Sequence, residues 1–206
     1  MRRPVQVAII GGSGSGKTWL ARKMTERLAP WAARISLDDF YHDLSSRPAA
    51  HRNQVNFDDP AAIDWTEVHA RMEQLEIGAS VRLPQYDFTS HTRRSERALF
   101  VTPPVVIWDG LWLLHPARLR AQFAFSVFVS CGLEERLRRR SERDVRERGR
   151  SLESVQCQFL EHVQPMHERF VEPQRHQARQ ILPSPVKTEQ LDKLVQLLLS
   201  LKCLNG

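Results

Sequence analysis

The chain has 206 residues, 41% hydrophobic and 26% charged, enough for one domain with a substantial core and short for two. No apolar run approaches the roughly 20 residues that span a bilayer. The apolar stretch after Met1-Arg2-Arg3-Pro4 is too short for a signal peptide, and the scattered Cys131, Cys157 and Cys203 offer neither metal-ligand spacing nor a disulfide framework, so a reducing cytoplasm is expected. The net charge of +6 points to anionic ligands, either nucleic acid or nucleotide phosphates.

Read in chain order, there is no internal repeat and no low-complexity linker. Val5–Ile10 is a short apolar run ending in glycines and reads as a buried strand. A helix is predicted over 17–28, and a second strand over 33–36 leads into Asp38-Asp39-Phe40-Tyr41. Residues 42–57 are polar and loop-like. Asp59-Pro60 predicts a helix start, with a cap and proline at the first helical position, and the helix is expected to run to Ile77, where Gly78 ends it. Short alternating runs over 79–102 predict small antiparallel strands beside the main sheet. Further strands are predicted over 105–108, ending at Asp109-Gly110, over 125–129 and over 180–182. A basic helix is expected over 133–148, another over 152–163, and Leu191, Leu194, Val195 and Leu198 give a closing amphipathic helix. Strands alternating with helices predict an α/β fold, three-layered with a mostly parallel sheet, whose ligands sit outside the carboxyl ends of the strands.

Gly11-Gly12-Ser13-Gly14-Ser15-Gly16-Lys17-Thr18 matches G-x-x-x-x-G-K-[ST] in full, directly after a predicted strand and opening a predicted helix. Glycines let the backbone turn tightly and approach phosphates closely. Successive N–H groups and the helix N-terminus attract negative charge. Lys17 is expected to reach the β- and γ-phosphates, and Thr18 to offer its hydroxyl to Mg²⁺. Asp109, at the tip of another buried strand, is the expected second metal group, direct or through water. The alternative for Asp109 is a loop carboxylate before a glycine turn.

A P-loop alone leaves an ATPase motor, a GTPase switch and a small-molecule kinase open. The guanine-reading N-K-x-D motif is not present in the sequence. Four downstream motifs narrow the choice. These are Leu37-Asp38-Asp39-Phe40-Tyr41, Asn56-Phe57-Asp58-Asp59-Pro60, the run from Pro84 through Tyr86-Asp87-Phe88 to His91 and Arg93, and the run from Arg139-Arg140 to Arg148-Gly149-Arg150, with Gln158 beyond it. Together they resemble the uridine–cytidine kinase family, within the group that includes phosphoribulokinase and nicotinamide riboside kinase. The resemblance extends from Val5 to about Pro183.

The resemblance implies one P-loop kinase domain over residues 1–206, with a nucleoside-binding arm at 79–102 and an Arg-rich lid region at 134–158. It implies that Asp38 is the general base taking the proton of a sugar 5′-hydroxyl, although Asp39 stands where relatives commonly carry serine. It places Tyr41 at the nucleoside, Asp58 on the ribose 2′- and 3′-hydroxyls, Tyr86 against the base and His91 at the base's polar edge, with Arg93 on ribose or phosphate. Asp59 is the better helix cap of the two acids before Pro60. Arg140 and Arg143 share a helix face and would neutralise the transferring phosphoryl. Arg148, Arg150 and Gln158 would reach substrate as the lid closes. The donor implied is ATP or GTP with Mg²⁺, the acceptor a pyrimidine nucleoside, and the assembly a homo-oligomer, with neither nucleic acid nor membrane as partner. Asp109 stands where many relatives carry glutamate, and 176–183 lacks the acid often found before the last strand.

Two other readings stay open on the sequence. One is a kinase of another small hydroxyl substrate, such as nicotinamide riboside, pantothenate or ribulose phosphate. The other is a nucleic-acid-stimulated NTPase that uses the eight arginines between Glu134 and Arg150 to track phosphates. As a bare charge run the same stretch would be a solvated helix face.

Overall fold

The computed structural model describes residues 3–52 and 54–204, and side chains as far as residue 201; Cys203 therefore lies outside the described side chains. The elements begin with β1 (Val5–Ile10), α1 (Lys17–Arg27) and β2 (Ala32–Ser36), followed by a 3-10 turn at Leu37–Phe40. Next come α2 (Ala49–Arg52), a 3-10 turn at Pro60–Ala62 and α3 (Trp65–Glu76). The arm contains β3 (Val81–Leu83), β4 (Tyr86–Asp87), β5 (Thr92–Arg93) and β6 (Ala98–Phe100), and β7 (Val105–Gly110) re-enters the sheet. The chain continues through α4 (Ala117–Arg120), β8 (Phe125–Ser130), α5 (Leu133–Arg148), α6 (Leu152–Gln158) and α7 (Gln164–Met166), and closes with β9 (Gln180–Pro183) and α8 (Thr188–Leu204).

The main sheet is parallel throughout, in the order β2-β7-β1-β8-β9. Every residue of β1 and β7 is buried, as expected for strands covered on both faces. Strand alternation then divides the core. Val5, Val7 and Ile9 pack with α1 and α8 through Leu20, Met24, Leu28, Leu191, Leu194 and Leu198. Ala8 and Ile10 pack on the other side with Trp108, Phe40 and α3 residues Val68, Met72 and Leu75. One buried polar side chain on β1 is matched at its oxygen: Gln6 Oε1 accepts from Trp108 Nε1 at 2.9 Å. The register pairs Ile10 with Gly110 and Ser36 with Asp109, so the carboxyl ends of three adjacent strands finish at one edge.

Two helices differ from the sequence expectation. The helix expected from Asp59 to Ile77 is broken. Asp59 does cap, accepting from Ala61 N–H at 2.8 Å, but only over the 3-10 turn. Ile63 is extended and buried, bridged to Tyr41, and Asp64 then caps α3 by accepting from Glu67 N–H at 3.0 Å. Pairing Ile63 with Tyr41 outweighs continuous helix here. The helix expected over 152–163 runs on as far as His176, through π turns at Phe159–Val163 and His167–Val171 and a 3-10 turn. Phe159, Val163, His167 and Val171 are all buried at four-residue spacing. That spacing drifts around an ordinary helix of 3.6 residues per turn, and the wider π turns return it to one side. Loop 42–57 also contains the short α2.

Candidate active site

The loop from Gly11 to Thr18 joins β1 to α1 at this edge. Gly14 and Gly16 take φ of +80° and +93°, left-handed values that a side chain would strain. Lys17 Nζ donates to Gly12 O at 3.4 Å across the loop. Burial pushes the Lys17 ammonium down from its ordinary value, and the charges of Asp38 and Asp109 partly restore it. Thr18 Oγ1 donates to Asp109 Oδ2 at 2.6 Å, and Arg34 Nε donates to Asp109 Oδ1 at 2.6 Å. A hydroxyl and a carboxylate held together beside the phosphate loop form an oxygen donor set of the type Mg²⁺ takes, with phosphates and water supplying the rest. Among the described residues no cluster of three or more His, Cys, Asp or Glu could hold a metal by itself.

Asp38 and Asp39 lie in the 3-10 turn that follows β2. Asp38 Oδ1 is fully enclosed without a hydrogen-bond partner. Burial raises its carboxyl above the ordinary value, and neighbouring Lys17 opposes the shift. Asp39 has a different partner: its Oδ1 accepts from Tyr86 N–H at 3.2 Å, tying the turn to the arm.

The arm closes an aromatic cluster over this turn. Tyr41 Oη donates to Phe57 O at 2.8 Å, and its ring lies 5.3 Å from Phe57 and 5.4 Å from Tyr86. Tyr86 also meets Phe88 edge-on at 5.3 Å, and its hydroxyl is enclosed without a partner. His91 stacks on Phe57 with centroids 4.5 Å apart, at a φ of +54°. Burial, then the charges of Arg148 and Arg150, lower its imidazole below the ordinary value and favour the neutral ring. Arg93, expected at ribose or phosphate, instead donates through Nε to Tyr41 O at 2.8 Å and through Nη2 to Phe40 O at 3.1 Å, with Asp64 at 3.3 Å. It fastens the arm to the turn that carries Asp38.

The basic helix α5 brings its arginines to the same place. Arg140 is buried and donates to Ser13 Oγ at 3.0 Å and to Gln158 Oε1 at 3.1 Å, with both Asp58 oxygens at 3.4 Å. Asp58, expected to face ribose hydroxyls, is thus paired with a guanidinium here. Arg150 Nη1 donates to Gln158 Oε1 at 2.5 Å. Arg148 lies 5.3 Å over the Phe88 ring, within cation–π range. Arg143 donates through Nε to Asp144 at 2.8 Å.

Residues 6–191 match the profile of the phosphoribulokinase/uridine kinase family. The chain belongs to this family. Two relatives named uridine kinase, from Halobacterium salinarum and Deinococcus deserti, are 37% and 38% identical to it. The first match covers 92% of this chain and 86% of the relative, the second 88% of each. Among solved structures, phosphoribulokinase from Rhodobacter spheroides superposes with a TM-score of 0.63 at 14% identity, covering 88% of this chain and 70% of that one. D-glycerate 3-kinase from Cryptococcus neoformans superposes at 0.61 and 19% identity, covering 82% and 79%. At those identities the likeness concerns the fold, and it is the P-loop kinase α/β fold with a mostly parallel sheet. Chemically, family membership carries a nucleotide phosphoryl donor used with Mg²⁺.

Within this family frame, the phosphate loop, Asp38, Asp109, the aromatic cluster and the α5 arginines converge on one edge of the sheet. Three participants escaped the sequence reading. Arg34 on β2 holds Asp109, and a period-2 reading of β2 was the one available hint. Phe57 is the floor on which His91 stacks. Asp144, buried amid the arginines of α5, stood inside the fourth motif but was given no role there. Among the described residues no helix is long and apolar enough to cross a membrane.

Proposed function

We propose that this chain transfers the γ-phosphoryl of ATP to the 5′-hydroxyl of uridine or cytidine, as one kinase unit with residues 79–102 as nucleoside arm and 134–158 as lid. The observation that carries the reading is the enclosed, unpartnered Oδ1 of Asp38, set between the ammonium of Lys17 and the aromatic arm while its neighbour Asp39 is tied to Tyr86. In this reading Asp38 accepts the 5′-hydroxyl proton late in a loose transfer, and mainly orients the oxygen before it.

The backbone from Gly11 to Gly16 cradles the polyphosphate, with Ser13 and Ser15 in the loop. Lys17 bridges its β- and γ-groups. Thr18 and Asp109 would hold Mg²⁺, which supplies charge neutralisation on the phosphates. Arg140 and Arg143, with Arg148 and Arg150, neutralise the transferring phosphoryl, because guanidinium groups keep their charge in a closed site. Tyr41, Tyr86 and His91 receive the base, and a neutral imidazole suits an uncharged pyrimidine edge. Asp58 takes the ribose diol once Arg140 turns toward phosphate, and Gln158 joins it. The acid partners of Arg138 and Arg146, namely Glu135, Glu142 and Glu147, count against a nucleic-acid tracker, since those arginines are already paired. Self-association belongs to the same reading on resemblance alone, and light scattering measures it.

A coupled ADP-release assay with ATP and Mg²⁺ across a nucleoside panel tests the proposal. Turnover is expected with uridine and cytidine and not with nicotinamide riboside, pantothenate or ribulose 5-phosphate. Rates stimulated by single- or double-stranded nucleic acid, with no response to nucleosides, would overturn it.

A further inference from the structure

The lid arginines surround a carboxylate with no assigned part in phosphoryl transfer. Asp144 on α5 is fully buried. Its Oδ1 accepts from Arg143 Nε at 2.8 Å, and Arg143 Nη2 is ion-paired with the same oxygen at 2.8 Å. Arg148 Nη1 lies 3.6 Å from Oδ1, while Arg140 Nε and Arg150 Nη1 lie 3.5 and 3.9 Å from Oδ2. The backbone of the same residue closes the helix: its carbonyl accepts from the N–H of Gly149, at φ +63°, and from that of Arg150 at 3.2 Å. Arg140, Asp144 and Arg148 follow one another at intervals of four, on one helix face.

We propose that Asp144 is the positioning residue of the lid, a single negative charge that sets the guanidinium groups of Arg140, Arg143, Arg148 and Arg150 in the geometry that phosphoryl transfer uses. The reasoning starts from repulsion. Four guanidinium groups converge here, and of these Arg140 also pairs with Asp58. Without a buried counter-charge the arginines would splay into solvent. Asp144 takes hold of Arg143 along the Nε–Nη2 edge, which leaves the Nη1 side of the fork for an anion. Arg143 and Arg148 keep 35% of their side-chain surface exposed and Arg150 keeps 28%. They are therefore oriented by Asp144 without being used up by it. The inference rests on the reading that these arginines act on the transferred phosphoryl.

The Asp144→Asn variant separates positioning from mere structure, because the two predict opposite changes in nucleotide affinity. Loss of the negative charge makes the cluster more attractive to polyphosphate, so the Kd of a non-hydrolysable ATP analogue is expected to stay within about threefold of wild type or to tighten. The guanidinium groups lose their register at the same time, and kcat is expected to fall roughly 10- to 100-fold, the scale of a misplaced catalytic group. A structural role alone would weaken nucleotide binding together with melting temperature and leave kcat per folded molecule near wild type, and that result overturns the proposal. If the Asn variant does not fold, Asp144→Glu keeps the charge but shifts it by one methylene; it is expected to lower kcat with unchanged Kd, and a wild-type kcat in it contradicts positioning. A readout independent of turnover is the arginine Nε–H spectrum of the wild-type protein. An exchange-protected Arg143 signal, lost on Asp144→Asn, is expected whichever acceptor the enzyme uses. No protected signal in the wild type would overturn the proposal, whereas a protein that shows the signal but turns over no nucleoside contradicts only the assigned substrate.

Discussion

Asp38 and Asp39 are adjacent in the chain and face different partners. The second accepts from the Tyr86 backbone N–H through its Oδ1, and the first leaves an enclosed oxygen open beside Lys17. Asp38→Asn is therefore expected to lower kcat by about 10²–10⁴-fold, the usual range for a positioned general base. The nucleoside KM should stay within a few-fold, because the loss belongs mainly to the transition state. Asp39→Asn should affect kcat markedly less; the reverse ranking in steady-state kinetics would shift the assignment by one residue. Stability should move the opposite way from activity at Asp38. Burial raises this carboxyl above its ordinary value of 3.8, so its protonated form is the one the fold favours. Its contribution to stability is then present below the unfolded value and is lost as pH rises through the folded one. At neutral pH Asp38→Asn should melt higher than wild type, while activity in wild type falls as pH drops through the raised value. A scanning calorimetry trace with a lower melting temperature for the variant would contradict this account of the site's strain. At this scale the sequence could nominate a carboxylate but not show how its neighbour is occupied, since the Asp39–Tyr86 bond joins positions 47 apart.

The arm and the helices that flank it show how far local pattern reaches. The antiparallel pairs β3–β6 and β4–β5 fall within the stretch where alternation and Pro84 placed them. The break before α3 was also legible in principle, because Asp64 and Glu67 form a second cap-and-acid pair five residues after Asp59. What hid it was Ile63, whose extended pairing with Tyr41 is a long-range contact no window contains. Similarly, Arg93 reads as a substrate arginine in its motif, and only the fold shows its donors spent on the Phe40 and Tyr41 carbonyls. His91 is the element's specificity test. It is stacked, favoured neutral and enclosed at Nδ1, so substitution should change which base is preferred more than how fast phosphate moves. For His91→Ala the uridine-to-cytidine ratio of kcat/KM is expected to shift by about 1–3 kcal/mol, the cost of one edge hydrogen bond. Equal losses on both nucleosides, measured by competition, would remove His91 from base selection.

Across the whole molecule, the phosphate loop and the parallel sheet were the most legible parts, since the glycine pattern demands a strand before it and a helix after it. The convergence of lid and nucleoside carboxylate was the least legible. Arg140 reaches Asp58 and Ser13 over separations of 82 and 127 residues, and no motif records that contact. The central claim is the transfer itself, to one particular oxygen. It is tested most directly by incubating the protein with ATP, Mg²⁺ and uridine and locating the new phosphate by phosphorus–proton coupling in the product. The account predicts uridine 5′-monophosphate, formed by the wild type and abolished by Lys17→Ala. Phosphate on any other position, or ATP consumed with uridine left unmodified, would contradict it.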